Sequence, residues 1–73
     1  MKLQNIFIFA TNIKTKKSKH KIRKILNAHI AITAWSIDQD DIDCVLRIVT
    51  DTLTVSQIIA LVNVHHYECK ELI

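Results

Sequence analysis

The chain has 73 residues, a formal net charge of +3 and 49% hydrophobic side chains, a composition typical of one small globular domain over residues 1–73. Its apolar runs fall far short of the about 20 residues that a membrane span needs, and its two cysteines suit a reducing compartment, so we expect a cytoplasmic location and no membrane span. The lack of glycine excludes the phosphate-binding glycine loops of dinucleotide and P-loop enzymes.

The first predicted elements are a strand and a helix. The run Ile-Phe-Ile-Phe within residues 5–9 is apolar on both faces, which favours a central strand. A helix of about three turns then begins near Thr15 or Ser18, since either residue is a good N-cap. Its predicted apolar stripe has the helical spacing i, i+3, i+4, i+7. The stripe consists of Ile22, Ile25, Leu26 and His29.

Two further strands follow as a hairpin. Apolar and polar residues alternate over residues 32–38 and again over residues 44–49, and the polar turn Gln39-Asp40-Asp41 separates the two segments. A second helix is predicted to begin after Thr54, because Thr54 with Gln57 forms a capping box and Leu53 with Ile58 is placed as a hydrophobic staple. Residues 67–72 alternate as strand four.

The order βαββαβ predicts an α+β fold, a ferredoxin-like sandwich with both helices on one face of a four-stranded antiparallel sheet. In that topology the first two strands end, and the last two begin, at the same edge of the sheet. The predicted core contains Ile22, Leu26, Trp35, Leu46, Ile48, Ile58 and Val62.

Charge is divided into two blocks. Seven of the ten Lys and Arg residues lie between residues 14 and 24, and four of the seven acids lie between residues 38 and 43. Cations near a helix N-terminus oppose the helix dipole. The run with Lys14, Lys16 and Lys17 is therefore a solvated face, a surface neutralised by the acidic hairpin, or a binding site for an acidic partner.

Three segments resemble the heavy-metal-associated domain of copper chaperones and copper-transporting ATPases. They are the spacing from Ile13 through Ile22 to Leu26, the strand pair Trp35-Ser36-Ile37-Asp38 with Leu46-Arg47-Ile48, and the ending His66-Tyr67-Glu68-Cys69. That family binds Cu(I) with Met-x-Cys-x-x-Cys after strand one and closes the site with a Tyr before strand four. The resemblance places Ile13 at the Met, Thr15 and Ser18 at the two cysteines, and Tyr67 at the Tyr. It implies the fold and a divergent branch without the copper dithiolate site.

The remaining candidate metal ligands are imidazoles. Protonated hydroxyls do not replace the thiolates that Cu(I) prefers. His65 and His66, with His20 as a third ligand, are the alternative site for Zn(II) or Cu(II) in a degenerate metal-binding or metal-transport protein. Otherwise His65 continues the helix face and His66 occupies the turn that the family gives to Gly. Cys44 and Cys69 are predicted as buried thiols, since strand one should separate their strands by more than a disulfide spans.

Enzymes and nucleic-acid binders are disfavoured. No Ser-His-Asp, Cys-His or carboxylate pair has catalytic spacing, so we expect no enzyme and no cofactor. The RNA-recognition motif shares this topology but stacks bases on aromatic residues of strands one and three, and strand three offers Val45, Arg47 and Val49 there.

The sheet face without helices is the predicted interaction surface. Strand one presents either Phe7 with Phe9 or Ile6 with Ile8 on that face, and strand three adds Val45 and Val49. Such a patch marks a homodimer or a docked protein partner, unless Lys2, Arg47 and Lys70 cover it. The expected function is that of a non-enzymatic binding module that acts through protein contacts or self-association.

Overall fold

The computed structural model describes residues 4–73 and shows the predicted order of elements. The strands are β1 (Asn5–Thr11), β2 (Ile32–Asp38), β3 (Val45–Thr50) and β4 (Cys69–Glu71), and the helices are α1 (Lys16–Ala28) and α2 (Val55–Asn63). The four strands form one antiparallel sheet in the order β2-β3-β1-β4. This is an α+β ferredoxin-like fold.

Both helices pack on the same face of the sheet, because their buried residues join one cluster with one face of β1 and β3. The members of this core are Phe9, Ile13, Ile22, Leu26, Leu46, Ile48, Ile58 and Val62. The predicted core is confirmed except at Trp35, which is half-buried. Its indole Nε1 donates a hydrogen bond to Asn27 Oδ1 over 2.7 Å and ties β2 to α1.

The two faces of β1 are distinguished by burial. Phe9 is opposite Leu46 in the β1–β3 register and is fully buried, so it lies on the helix side. Phe7 lies on the same side, half-buried against the core. The prediction of Phe7 and Phe9 as residues of the helix-free face is therefore wrong. The alternative pair, Ile6 and Ile8, lies on that face.

Both helices begin with a capping box, as Thr54 and Gln57 predict for α2. In α2 the Thr54 hydroxyl accepts from the Gln57 N–H and the Gln57 side chain accepts from the Thr54 N–H. In α1 the same reciprocal pair is formed by Thr15 and Ser18. Both boxes satisfy N–H groups that a helix start leaves without an intrahelical partner.

The observed strand ends differ from the prediction by a few residues. β1 continues to Thr11, because Ala10 and Thr11 pair with β4. β3 begins at Val45, since Cys44 has a φ of 43° and belongs to the preceding turn. β4 is limited to three residues, which pair with β1 alone.

Candidate interaction surfaces

At the end of the sheet where the candidate metal-site residues were predicted, hydrogen bonds join the loops to one another. The Thr11 N–H donates to the Asp43 carbonyl over 2.8 Å. Gln39 Nε2 donates to the carbonyl oxygens of Ile13 and Thr15 over 3.0 and 2.9 Å. The Glu68 N–H donates to Asn12 Oδ1 over 2.8 Å. The predicted convergence of the loops at this edge is confirmed, and Gln39 ties the acidic hairpin to the start of α1.

Thr15 and Ser18, which the resemblance aligns with metal-binding cysteines, form the cap of α1. The Thr15 N–H donates to Ser18 Oγ and the Ser18 N–H donates to Thr15 Oγ1, both over 3.0 Å, while the two hydroxyls are 2.9 Å apart. Ile13, at the position of the family's Met, is fully buried in the core. The hydroxyls of Thr15 and Ser18 are therefore engaged in starting α1.

The predicted histidine ligands do not form a metal site. His20 is exposed on the second turn of α1, while half-buried His65 and exposed His66 follow the end of α2. Within residues 4–73 no three His, Cys, Asp or Glu side chains are grouped to hold a metal ion. His66 has a φ of 70°, the left-handed region that favours glycine, so it takes the turn conformation that the alternative interpretation assigned to it. The structure therefore does not bring His20, His65 and His66 together as a group of three ligands within residues 4–73.

The two cysteines are free thiols, Cys44 just before β3 and Cys69 in β4, and β1 lies between those two strands. Cys44 is buried, and Cys69 is half-buried opposite Thr11 in the β1–β4 register. Burial raises the pKa of the Cys69 thiol to about 11. A protonated thiol is a poor nucleophile and a poor metal ligand near neutral pH.

Helix α1 carries a continuous basic face on its solvent side. We call the exposed residues Lys16, Lys17, Lys19, His20, Lys21, Arg23 and Lys24 the basic face. The Tyr67-side row, made of Lys17, Lys21 and Lys24, lines a cleft of about 460 Å³ together with Tyr67. Lys21 Nζ lies 5.7 Å from the centroid of the Tyr67 ring, a cation–π contact. Tyr67 thus lies beside α1 and contacts the Lys21 ammonium group.

The opposite side of the basic face lies along β2. Lys16, Lys19 and Arg23, which we call the β2-side row, line a cleft of about 350 Å³ with His20 and Gln39. Gln39 directly follows the last residue of β2. Lys14 is exposed in the loop before α1.

The acids of the hairpin stabilise their own turn. Asp38 Oδ1 accepts from the Asp40 N–H over 3.1 Å, and Asp41 Oδ1 accepts from the Asp43 N–H over 2.8 Å. In the described part of the chain no cation of the basic face forms an ion pair with a carboxylate. The hairpin is held near the start of α1 by Gln39, so its charge lies close to the lysines without a direct ion pair to them among the described residues.

The helix-free side of the sheet, which we call the open face, carries apolar side chains of β1 and β3 together with the exposed Arg47, which is opposite Ile8. Ile6 is 54% exposed and Val49 only 8% exposed, while Ile8 and Val45 are half-buried. Other members of this face, by register, are Ala10, Ala34, Ser36, Asp38, Arg47 and Lys70. Lys2, which was predicted to cover the patch, lies outside the described residues.

Two threonines that were not singled out from the sequence form hydrogen bonds at the ends of the central strands, β1 and β3. Thr11 Oγ1 donates to the Cys44 carbonyl over 2.7 Å, and Thr50 Oγ1 donates to the Ala31 carbonyl over 2.6 Å. Each also accepts a backbone N–H from the loop that follows its strand. A repeated pattern could have identified them, because each precedes by four residues the threonine that caps the next helix, Thr15 or Thr54.

Comparison with known proteins provides no relative from which to transfer a function. No family model, no curated protein and no solved structure matches the chain. Of the helices in residues 4–73, neither has the length and apolar character required to cross a membrane. Function is therefore inferred from the chemistry of the basic face, the open face and the edge strand β2.

Proposed function

We propose that this chain is a small non-enzymatic binding module that acts by contact with an acidic protein partner at the basic face of α1. The observation that supports this proposal is the grouping of six exposed Lys and Arg side chains on α1, a helix whose sequence contains no acidic residue. Cations in the first turn oppose the helix dipole by roughly 0.3–1 kcal/mol each, and like charges at i, i+4 add a further penalty. An acidic partner would supply the missing opposite charge.

The neighbouring acids favour a short protein segment over a nucleic acid. Gln39 holds Asp38 and Asp40, its neighbours in the chain, near the start of α1, and the Glu68 backbone is bonded to Asn12 on the other side. A long polyanion running past this end would meet these carboxylates, whereas a short acidic segment can end before them. The basic face also has five lysines and one arginine. Lysine lacks the planar guanidinium group with which arginine forms bidentate hydrogen bonds to phosphates and bases.

Under this proposal the likeness to heavy-metal-associated domains concerns the scaffold. Thr15 and Ser18, which the resemblance aligns with the family's cysteines, cap a helix. The same loop and helix then present charge to a partner instead of thiolates to a metal.

Binding of an octaglutamate peptide, followed by NMR titration at low ionic strength, tests the proposal. We expect that replacing the six Lys and Arg residues of the basic face with Gln weakens binding by at least about tenfold, because exposed ion pairs contribute about 0.2–1 kcal/mol each. The control variant Arg47→Gln/Lys70→Gln, whose residues lie on the open face, should weaken it less than about threefold. Equal losses in both variants, or tighter binding of an RNA duplex than of the peptide, would contradict the proposal.

Self-association through the open face is a second candidate, supported by the exposure of Ile6, which lies opposite Val49 and two residues from Ile8 on the same face. The same face carries Asp38 on the outer strand β2 and Lys70 on the opposite outer strand β4. A two-fold axis parallel to the strands places Asp38 of one copy against Lys70 of the other. The expected assembly is therefore a face-to-face dimer of two copies.

Sedimentation equilibrium with increasing concentration tests this dimer. We expect the average mass to rise toward that of a dimer as the protein approaches about 1 mM, the range of a weak contact. Ile6→Lys should abolish the rise because it places a charge among the apolar side chains of this face. Ile42→Lys is the matched control, since Ile42 is 92% exposed in the hairpin and is not part of the paired strands that form the face. A monomer at every concentration would exclude the homodimer.

A further inference from the structure

We propose that β2 accepts an extended acidic segment of a partner protein as a fifth strand, with the carboxylates of that segment against the β2-side row. This inference rests on the proposed function, because it assumes an acidic protein partner. It specifies the position at which the segment binds, its extended conformation and the pattern of its side chains.

The first observation is that the two edge strands of the sheet differ in length and in charge. β2 is seven residues long, forms one edge, and pairs regularly with β3 over residues 34–38 after an irregularity between Ile32 and Ala34. Its stretch from Ile32 to Ile37 has no charged residue and no proline, both of which commonly protect edge strands. The other edge, β4, has three residues, two of them charged. An added strand therefore finds a longer and less protected template on β2.

The second observation is that the β2-side row follows β2 along α1. At one end, the cleft that this row lines is completed by Gln39, the residue after β2. At the other end, Asn27 lies four residues after Arg23 on the same stripe of α1 and accepts the hydrogen bond of Trp35 in β2. The row is thus held above the outer strand from both ends. Carboxylates on the helix side of a fifth strand would lie next to it.

The spacing of the cations suits alternate residues of a strand. Lys16 and Arg23 are seven residues apart, about 10.5 Å along the axis of an α-helix. Alternate residues of a strand point to the same side about 6.6 Å apart. Two or three carboxylates at alternate positions therefore cover the row, and the pattern expected is acidic–neutral–acidic.

The open face requires that the intervening residues be neutral. Ala34, Ser36 and Asp38 lie on that side of β2, as their pairing with Val49, Arg47 and Val45 shows. An acid directly across from Asp38 would repel it. A uniformly acidic strand is therefore a poorer partner than an alternating one.

A second copy of the chain does not meet these requirements. On the helix side β2 presents Trp35 and Ile37, which are opposite the core residues Ile48 and Leu46. Pairing β2 with β2 of another copy would bring two basic rows together without a carboxylate between them. The occupant that fits is a strand of different sequence.

The experiment compares two peptides of identical composition, one with Glu and Val alternating four times and one with four Glu followed by four Val. NMR titration at low ionic strength should show the alternating peptide binding at least about tenfold more tightly, because only it places every carboxylate on one side of a strand. Hydrogen exchange should slow, on binding, at those amides of residues 34–38 that do not bond to β3.

Two matched triple variants locate the contact. Lys16→Gln/Lys19→Gln/Arg23→Gln should weaken the alternating peptide by about tenfold or more, and Lys17→Gln/Lys21→Gln/Lys24→Gln should weaken it by less than about threefold. Both variants remove three charges from exposed positions of the same helix.

Three results would overturn strand addition. The first result is that both peptides bind equally, both triple variants lose affinity equally and the β2 amides stay unprotected. This result would exclude the added strand, while the binding of acidic peptides to α1 through charge would stand. If neither acidic peptide binds, both this inference and the proposed function are wrong. If the protein dimerises and Ser36→Pro abolishes the dimer, β2 serves a second copy instead.

Discussion

Replacing Leu26 or Ile58 with alanine is expected to lower the free energy of unfolding by about 2–5 kcal/mol. Each side chain is fully buried, one on each helix, and both belong to the cluster with Phe9, Leu46 and Ile48. Truncation removes apolar contacts and leaves a cavity that a close-packed core does not refill. A single core below about 70–80 residues rarely supplies more than about 3–5 kcal/mol, so either change should unfold a large fraction of the protein.

Urea denaturation followed by circular dichroism measures this effect. Matched controls are Ile30→Ala and Ile42→Ala, since these isoleucines are 101% and 92% exposed. The controls should change the free energy of unfolding by less than about 0.5 kcal/mol. A loss below about 1 kcal/mol for both Leu26→Ala and Ile58→Ala would show that the helices do not pack on the sheet as described.

Thr50→Val is expected to destabilise the fold by about 1–3 kcal/mol although the shape of the side chain is kept. Thr50 is fully buried, its Oγ1 donates to the Ala31 carbonyl, and it accepts from the N–H groups of Thr52 and Leu53. Valine leaves these partly buried backbone groups without that partner. Because these bonds join the end of β3 to the approach to β2 and to the start of α2, the loss should affect the whole domain.

Thermal unfolding of Thr50→Val beside Thr52→Val provides the comparison. Thr52 is exposed, so its replacement should be close to neutral. Thr11→Val should resemble Thr50→Val, since the Thr11 hydroxyl makes the corresponding bond to Cys44 at the end of β1. If Thr50→Val and Thr52→Val have the same midpoint, the Thr50 hydroxyl contributes nothing to stability.

The basic face and β2 have different roles in the proposals. Lysines on both sides of α1 attract an acidic partner through charge, and this attraction weakens as salt is added. The backbone of β2 selects an extended conformation, and Asp38 on the open face selects against a uniformly acidic strand. Charge thus supplies attraction, while the edge of the sheet supplies specificity.

Local patterns in the sequence determined the order and type of the elements. The capping box of Thr54 and Gln57 specifies the start of α2 because both groups lie within one helical turn. The alternation in residues 32–38 predicted β2 with its observed bounds, since every second side chain faces the core. The helical stripe containing Ile22 and Leu26 likewise identified the buried side of α1. These signals act between near neighbours in the chain, so they can be read without a structure.

Only the tertiary structure decided which residues share a surface. β1 is apolar on both faces, so its pattern could not tell Phe9 from Ile8, and the helices that cover one side settled the choice. The acidic hairpin lies near the lysines, yet its carboxylates bond within their own turn, which charge counting did not reveal. The position of the β2-side row above an outer strand depends on Asn27 meeting Trp35 and on Gln39 meeting the start of α1. Such contacts join residues that are remote in the chain or on different elements, and packing, not periodicity, specifies them.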